Sequence, residues 1–351
     1  MGIKNLHKFL KKHAENQYEI VHLSHLEYKK IAIDTSLYMY KYKIIYADKW
    51  LNAFVNLVVT LREYNIHCIF IYDNGCPEEK LKEREKRSKN KENLETKACE
   101  LETEIEQYHM TNEVSERLQK LHDSCVDKKV SLLQTNKKRL FDIKLVENEL
   151  KKIQSQVVRV TKQDFDLTKS LFDIMGIPFE NAVLEGETTC AQLCLEGKVD
   201  AVLTEDTDVL AYNTPLFFTK LNLSNDTVTV LKIENILEEI EMTYQQFRDL
   251  CIMSGTDYND NIPLIGIEKA YKLLKQHGSI EGIAENTDKD ITVLNHNRVR
   301  ELFSFDTDSE IEVKYCETPD FEKLQQFLFT NNCKIDINRI RKSSQNVLSF
   351  E

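Results

Sequence analysis

Three short apolar runs in this chain end in acid. "IAID" delivers Asp34, "CIFIYDNG" delivers Asp73, and "AVLTEDTDVL" delivers Glu205, Asp206 and Asp208. Rich in β-branched and aromatic residues, the runs read as buried strands over residues 30–34, 67–73 and 200–204. Helical patterns alternate with them at about 48–64, at 161–175 with Thr161 as N-cap, and at 186–196. Strands alternating with helices predict an α/β fold, a central, mostly parallel sheet flanked by helices. Ligands of such sheets gather at the carboxyl ends of the strands, which is where these acids fall.

Two further places repeat the pattern: "LEGETTCAQL" sets Glu185 and Glu187 at the start of a helix, and "SGTDYND" adds Asp257. One acid after an apolar run is usually a turn or a helix cap. Recurrence at several strand ends, with acids paired one residue apart, points instead to a metal site. Carboxylates this crowded cannot all stay ionised when buried unless positive charge sits among them. Magnesium takes hard oxygen ligands and keeps several waters, so it suits a loose ring of carboxylates. Two such ions can hold the attacking and leaving oxygens of a phosphodiester displacement. Residues two apart on a helix do not share a face, so Glu185 and Glu187 are set to serve different metals.

The net charge of −11 excludes a surface that is basic throughout, so any nucleic-acid partner must meet local basic patches. One lies between Lys80 and Lys91, where seven Lys or Arg outnumber Glu83 and Glu85. Nine cysteines without paired metal-binding spacing imply reduced thiols. With no signal peptide or membrane-length apolar run recognised, the expectation is a nuclear or cytoplasmic protein with no membrane partner. Gly2 is followed by Leu6 where a myristoylation signal has Ser or Thr, so lipidation is not expected.

Between about 78 and 160 the pattern changes to a Lys-, Glu- and Gln-rich stretch with two apolar stripes. Val114, Leu118, Leu121 and Cys125 form one; Ile143, Val146, Leu150, Ile153 and Val157 form the other. They predict two long antiparallel helices turning within 126–139, with a solvated spacer or a partner-binding coiled coil as the alternative. Residues 243–278 read as helical, interrupted by "GTDYNDNIPLIG" and resumed in "IEKAYKLLKQHG", which Gly278 closes.

Over nearly its whole length the chain resembles a flap endonuclease of the XPG-type structure-specific 5′-nuclease superfamily. The resemblance is carried in order by "MGIKNL", "IDTSLYMY", "IYDNGCPEEKLKEREKR", "VTKQDFDLTKSLFDIMGIPF", "EGETTCA", "TEDTDVLAY", "DLCIMSGTDYNDNIPLIGIEKA" and "VRELF". It implies a metal ring of Asp34, Asp73, Glu185, Glu187, Asp206, Asp208 and Asp257 holding two Mg2+, with Mn2+ as a substitute. Glu205 matches a family acid that is not a usual ligand. By the same resemblance Lys80 and Arg87, seven apart and so expected on one helical face, are the catalytic basic pair of an arch. Tyr40 would stack an unpaired base, and Gly2 would lie close to the substrate. Gly255, Gly266, Lys269 and Lys272 would belong to a helix–two-turn–helix element that grips duplex backbone, with K+ bound there.

The implied organisation is a nuclease core split over 1–77 and 161–250, an arch at 78–160, the duplex-binding element at 251–300, C-terminal core helices at 301–344 and a tail at 345–351. The implied activity is 5′ flap endonuclease with 5′ to 3′ exonuclease, on branched or flapped double-stranded DNA in replication and repair, by a monomer. An exonuclease-one-like or Holliday-junction-resolving member is the alternative within the family, and an inactive DNA-binding scaffold the alternative outside it. Departures are Gly186 where the family usually has Ala, Leu264 and Glu268 in place of a Gly and a Lys of the hairpin, and a longer arch segment. In the tail, Gln345, Leu348 and Phe350 resemble a sliding-clamp-binding motif.

Overall fold

A computed structural model describes residues 2–127, 141–305 and 308–345. Tertiary contacts divide the chain into two compact units, residues 1–81 with 160–351, and residues 82–159. The first is built on a seven-stranded sheet of β1 (Glu19–His22), β2 (Lys30–Asp34), β3 (His67–Tyr72), β4 (Phe179–Asn181), β5 (Ala201–Leu203), β6 (Leu216–Asn222) and β7 (Thr227–Lys232), in the order β1-β7-β6-β5-β2-β3-β4. Neighbours from β6 through β5, β2 and β3 to β4 run parallel; β7 pairs antiparallel with β6 and with β1. The expectation of a mostly parallel sheet flanked by helices therefore holds, with an antiparallel margin. Register sets Asp34 beside Ile71 and Ile33 beside Leu203. The parallel strands thus bring the residues that follow β2, β3 and β5 to one edge.

Helix α1 (Leu6–His13) buries Leu6, Phe9 and Leu10. Asp34 caps α2 (Thr35–Tyr46), its carboxylate accepting from the Leu37 amide at 3.3 Å. Helix α3 (Trp50–Glu63) buries Phe54, Val55, Leu57 and Val58 against β3 and its neighbours. Contrary to the sequence reading, Thr35–Glu63 is long and apolar enough to cross a membrane by length and composition. Here Ala47, at φ 44°, breaks it into two helices that share the core of the sheet. Arg62, only 4% exposed, donates to the carbonyls of Met175 (2.8 Å) and Glu317 (2.7 Å), a buried charge spent on main-chain oxygens.

The second unit departs from the expected pair. It contains three helices among its described residues: α4 (Leu81–Thr111), α5 (Glu116–Asp127) and α6 (Ile143–Gln156). Asn112 at φ 57° ends α4, and Val114 stands outside the helix that carries the rest of its stripe. Leu118, Val146, Leu150 and Ile153 do pack together, but around a third stripe of Ala98, Leu101 and Ile105 on α4 that the sequence reading missed. The expected turn at 126–139 lies almost wholly outside the described residues.

Returning to the first unit, α7 (Lys162–Met175) starts at Thr161, whose hydroxyl and Asp164 form a reciprocal capping box. Then follow α8 (Gly186–Leu195), α9 (Ile233–Glu239), α10 (Tyr244–Ser254), α11 (Ile267–His277), α12 (Ile280–Asn286), α13 (His296–Leu302), α14 (Phe321–Thr330) and α15 (Ile337–Ser344). Leu348 and Phe350 of the clamp-like tail lie outside the described residues.

Because the helical unit has a core of its own, damage to that core should stay within it. Leu101→Asp puts a charge where Leu101 is 2% exposed, a loss of about 3 kcal/mol or more to the second unit. Hydrogen exchange should show Ala98–Ile105 and α6 losing protection while β2, β3 and β5 keep theirs. Loss of protection in the sheet as well would show one shared core.

Candidate metal centre

The acids reach one edge of the sheet by different local routes. Asp34 ends β2, and Asp73 follows β3. Asp206 caps the 3-10 turn Thr207–Tyr212, which carries Asp208; Glu185 is N-cap of α8, with Glu187 in its first turn; Asp257 lies in the loop after α10. Gly186 lets α8 approach closely. Its amide donates to Asp73 Oδ1 at 2.6 Å, and a Cβ there would stand 3.1 Å from that oxygen. The family's Ala would need the neighbour to yield slightly.

Lys80 enters this ring from the foot of the helical segment. Its ammonium ion-pairs with Glu185, lies 3.2 Å from Asp257 Oδ2 and 3.8 Å from Glu187 Oε1, and is 13% exposed. Burial alone pulls the Lys80 pKa down, but Glu187, Glu185 and Asp257 together outweigh it and the net shift is upward. Lys80 closes the short 3-10 turn Glu78–Lys80, and the α-helix that carries Arg87 begins at Leu81. Arg87 belongs to the helical unit, where its Nε donates to Glu83 at 3.2 Å.

The electrostatics are those of too many carboxylates. Burial, then Asp73 and Asp206, push Asp34 up to about 7. Burial and Asp206 likewise raise Glu187 and Asp208, although the Ile3 amide, 2.8 Å from Asp208 Oδ1, holds Asp208 back somewhat. Glu205 is elsewhere engaged, in a 2.6 Å ion pair with Lys41. Among the described residues no group of three or more His, Cys, Asp or Glu side chains is already arranged to hold a metal ion. The residues nonetheless fit a hard divalent cation. The donors are carboxylates, as magnesium prefers with its retained waters, and the ring demands positive charge, which the Lys80 ammonium supplies here.

The remaining residues singled out in the sequence fall around this centre. Gly2, at φ 76°, lies so near Asp208 that a Cβ would come within 2.2 Å of its carboxylate. Tyr40 is 42% exposed on α2 while Tyr38 and Tyr42 are buried. Gly255, at φ 88°, accepts from the Lys4 amide at 3.0 Å. Gly266 is an exposed N-cap of α11 with no side chain to cap the first turn. Lys272 is exposed, whereas Lys269 Nζ donates to the Leu264 carbonyl at 3.0 Å. Glu268 pairs with Lys12 at 2.8 Å and with His13 at 3.1 Å. Sequence reasoning missed Tyr258, whose hydroxyl donates to Glu185 Oε2 at 2.8 Å; its place beside Asp257 was the available signal.

Two predictions follow from this geometry. Leu264 takes φ 62° and is 89% exposed, so Leu264→Gly relieves backbone strain without losing packing. It should raise unfolding stability by about 0.5–1 kcal/mol, read by denaturant titration; a loss of stability would disprove the strain.

The second concerns pH. The folded-state pKa of Asp34 is raised to about 7 from 3.8, so the metal-free fold binds the extra proton between those values. Its stability therefore falls as pH rises through that window. A divalent ion relieves a cost that is full only above about pH 7. The rise in melting temperature produced by Ca2+ or Mg2+ without DNA should be larger at pH 8 than at pH 5.5; equal increments would count against metal binding by this ring.

Known proteins resemble this chain over nearly its whole length. The XPG N-terminal domain model matches residues 1–94 and the XPG I-region model residues 176–257, spans that hold all seven acids. A probable RAD2-like endonuclease of Invertebrate iridescent virus 6 is 33% identical over 97% of this chain and 91% of its own length. Flap endonuclease 1 of Glycine max is 31% identical over 95% of this chain and 83% of its own. Among solved structures, the catalytic core of Rad2 in complex with DNA substrate covers 100% of both chains at TM-score 0.63 and 16% identity. The flap endonuclease-1 from Methanococcus jannaschii covers 94% of this chain and 95% of its own at TM-score 0.59 and 20% identity; at these identities the likeness is one of fold. With both family models and near-full-length relatives in agreement, the chain belongs to the XPG family of structure-specific, metal-dependent, DNA-hydrolysing nucleases.

Proposed function

We propose that this nuclease is a 5′ flap endonuclease with 5′ to 3′ exonuclease activity, using two divalent ions, Mg2+ with Mn2+ as a substitute. The observation that carries the reading is the convergence of carboxylates around a buried lysine at the end of a parallel sheet. Asp34, Asp73, Glu185, Glu187, Asp206, Asp208 and Asp257 would hold the ions. When bound, these supply an activated water and neutralise the charge that develops on the leaving oxygen.

The chain's own residues orient and clamp. Lys80, freed from Glu185 and Asp257, would turn its ammonium to the scissile phosphate, and Arg87 would stabilise the same charge from the helical segment. The Ile3 amide fixes Asp208, and Gly2 leaves the space beside it open to the substrate. Tyr40, exposed on α2, would stack the unpaired base at the junction. The first-turn amides of α11 behind Gly266, with Lys269, Lys272 and Gly255, would hold the duplex backbone, with K+ bound nearby. The enzyme would act as a monomer on branched duplex DNA, and Gln345, Leu348 and Phe350 would dock a sliding clamp.

The test is a panel of end-labelled 5′ flaps, gaps, nicked duplexes and four-way junctions in Mg2+, mapped to the nucleotide. Cutting at the foot of the 5′ flap is expected. Paired cuts in four-way junctions would make the chain a resolvase, and cutting of none would leave a scaffold. Asp208→Asn and Asp34→Asn should each lower single-turnover cleavage by at least about a hundredfold while DNA affinity is largely kept. Arg87→Ala should lower the rate by roughly two orders of magnitude with a much smaller effect on affinity. Equal loss of rate and affinity would make Arg87 part of the binding surface alone.

A further inference from the structure

Behind Glu185 runs a chain of three buried or half-buried hydroxyls. Thr188 Oγ1 donates to Tyr212 OH at 3.0 Å, Tyr212 and Tyr258 share a hydrogen bond of 2.9 Å, and Tyr258 OH donates to Glu185 Oε2 at 2.8 Å. With the outer two bonds running toward the carboxylate, the middle one is donated by Tyr212. Each hydroxyl then donates one bond and accepts one, except Thr188 at the head. Chains of a single sense strengthen one another in a low-dielectric interior.

The route of this chain matters as much as its energy. It starts on α8 one residue past Glu187 and passes through Tyr212, which ends the 3-10 turn bearing Asp208. It then crosses to Tyr258, adjacent to Asp257, and returns to α8 at its N-cap Glu185. Three segments that carry Glu185, Glu187, Asp206, Asp208 and Asp257 are thereby joined through side-chain oxygens. The tyrosine rings are separately locked: Tyr212 packs edge-on to Phe303 at 5.0 Å and stacks on Phe305 at 5.8 Å, and Tyr258 meets Phe303 at 5.6 Å.

Glu185 is consequently held at both oxygens, Oε2 by Tyr258 and Oε1 by Lys80. Only the second of these partners has positive charge that an ion would replace. We infer that Tyr258, backed by Tyr212 and Thr188, is a positioning residue that pins one oxygen of Glu185 and presents the other to a divalent ion, so that the hydroxyl chain sets the metal demand of the centre. This rests on the metal-dependent nuclease reading above.

The test measures metal directly as well as activity. Wild type, Tyr258→Phe, Tyr212→Phe and Thr188→Val are titrated with Mn2+ by calorimetry without DNA, and the Mg2+ dependence of flap cleavage is measured on the same proteins. Tyr258→Phe should raise the Mn2+ dissociation constant and the half-saturating Mg2+ about tenfold, the range for loss of an outer partner of a ligand. Tyr212→Phe and Thr188→Val should give progressively smaller shifts, and excess Mg2+ should recover most of the lost rate. Tyr244→Phe is the control: its hydroxyl donates to the Ala211 carbonyl at 2.8 Å, outside the chain. It should lower thermal stability and leave metal demand unmoved.

If Tyr258→Phe binds and uses metal as wild type does, or Tyr244→Phe shifts metal demand equally, the positioning role is overturned while the nuclease reading stands. A wild type that neither binds Mn2+ nor cleaves DNA in Mg2+ overturns both.

Discussion

Repulsion among carboxylates at one edge of the sheet is the constraint around which the first unit is arranged. Asp34 and Asp208 are each less than a tenth exposed, and burial without a counter-charge drives them to take up protons. The fold answers with oriented donors, one local and the rest from distant parts of the chain: the Leu37 amide for Asp34, the Ile3 amide for Asp208, the Gly186 amide for Asp73, and the Lys80 ammonium among Glu185, Glu187 and Asp257. None of these donors satisfies the ring fully. That residual cost gives a bound cation its driving force.

The parts of this arrangement that follow from local chemistry were legible in the sequence. Strand runs ending in acid, the Thr161 cap and the Gly278 stop each depend on residues within a few positions, and each is where the pattern put it. What escaped depends on partners far away or on a lack of contrast. The stripe of Ala98, Leu101 and Ile105 is diluted by charge on every side, so α4 read as uniformly polar and the third helix of the second unit went unseen. Nothing local marks Arg62, whose partners are the distant carbonyls of Met175 and Glu317. Lys80 was identified by resemblance; its carboxylate partners Glu185, Glu187 and Asp257 lie far along the chain, beyond the reach of local pattern.

Departures from the family pattern acquire physical meaning once neighbours are known. Glu268, where the resemblance leads one to expect a lysine, closes a contact with Lys12 and His13. Leu264 keeps the left-handed backbone that a glycine adopts freely, at some conformational cost. Both positions lie together, Leu264 in the loop before α11 and Glu268 in its first turn.

The packing of α1 bears on how the protein is made. Ile3, Leu6, Phe9 and Leu10 belong to the same core as Leu250, Met253, Ala270, Leu274 and Val299, and the Lys4 amide binds the carbonyl of Gly255. During synthesis the first helix therefore emerges long before its packing partners exist. At ribosomal rates of roughly 5–20 residues per second, some 250 further residues take about 12–50 s to appear. Throughout that interval an apolar face is unpartnered on the nascent chain, and the acid ring lacks Asp208 and Asp257 for most of it. The first unit closes only after the last of its segments is released, so its folding is governed by late, long-range contacts, and a nascent-chain chaperone has a defined apolar segment to shield.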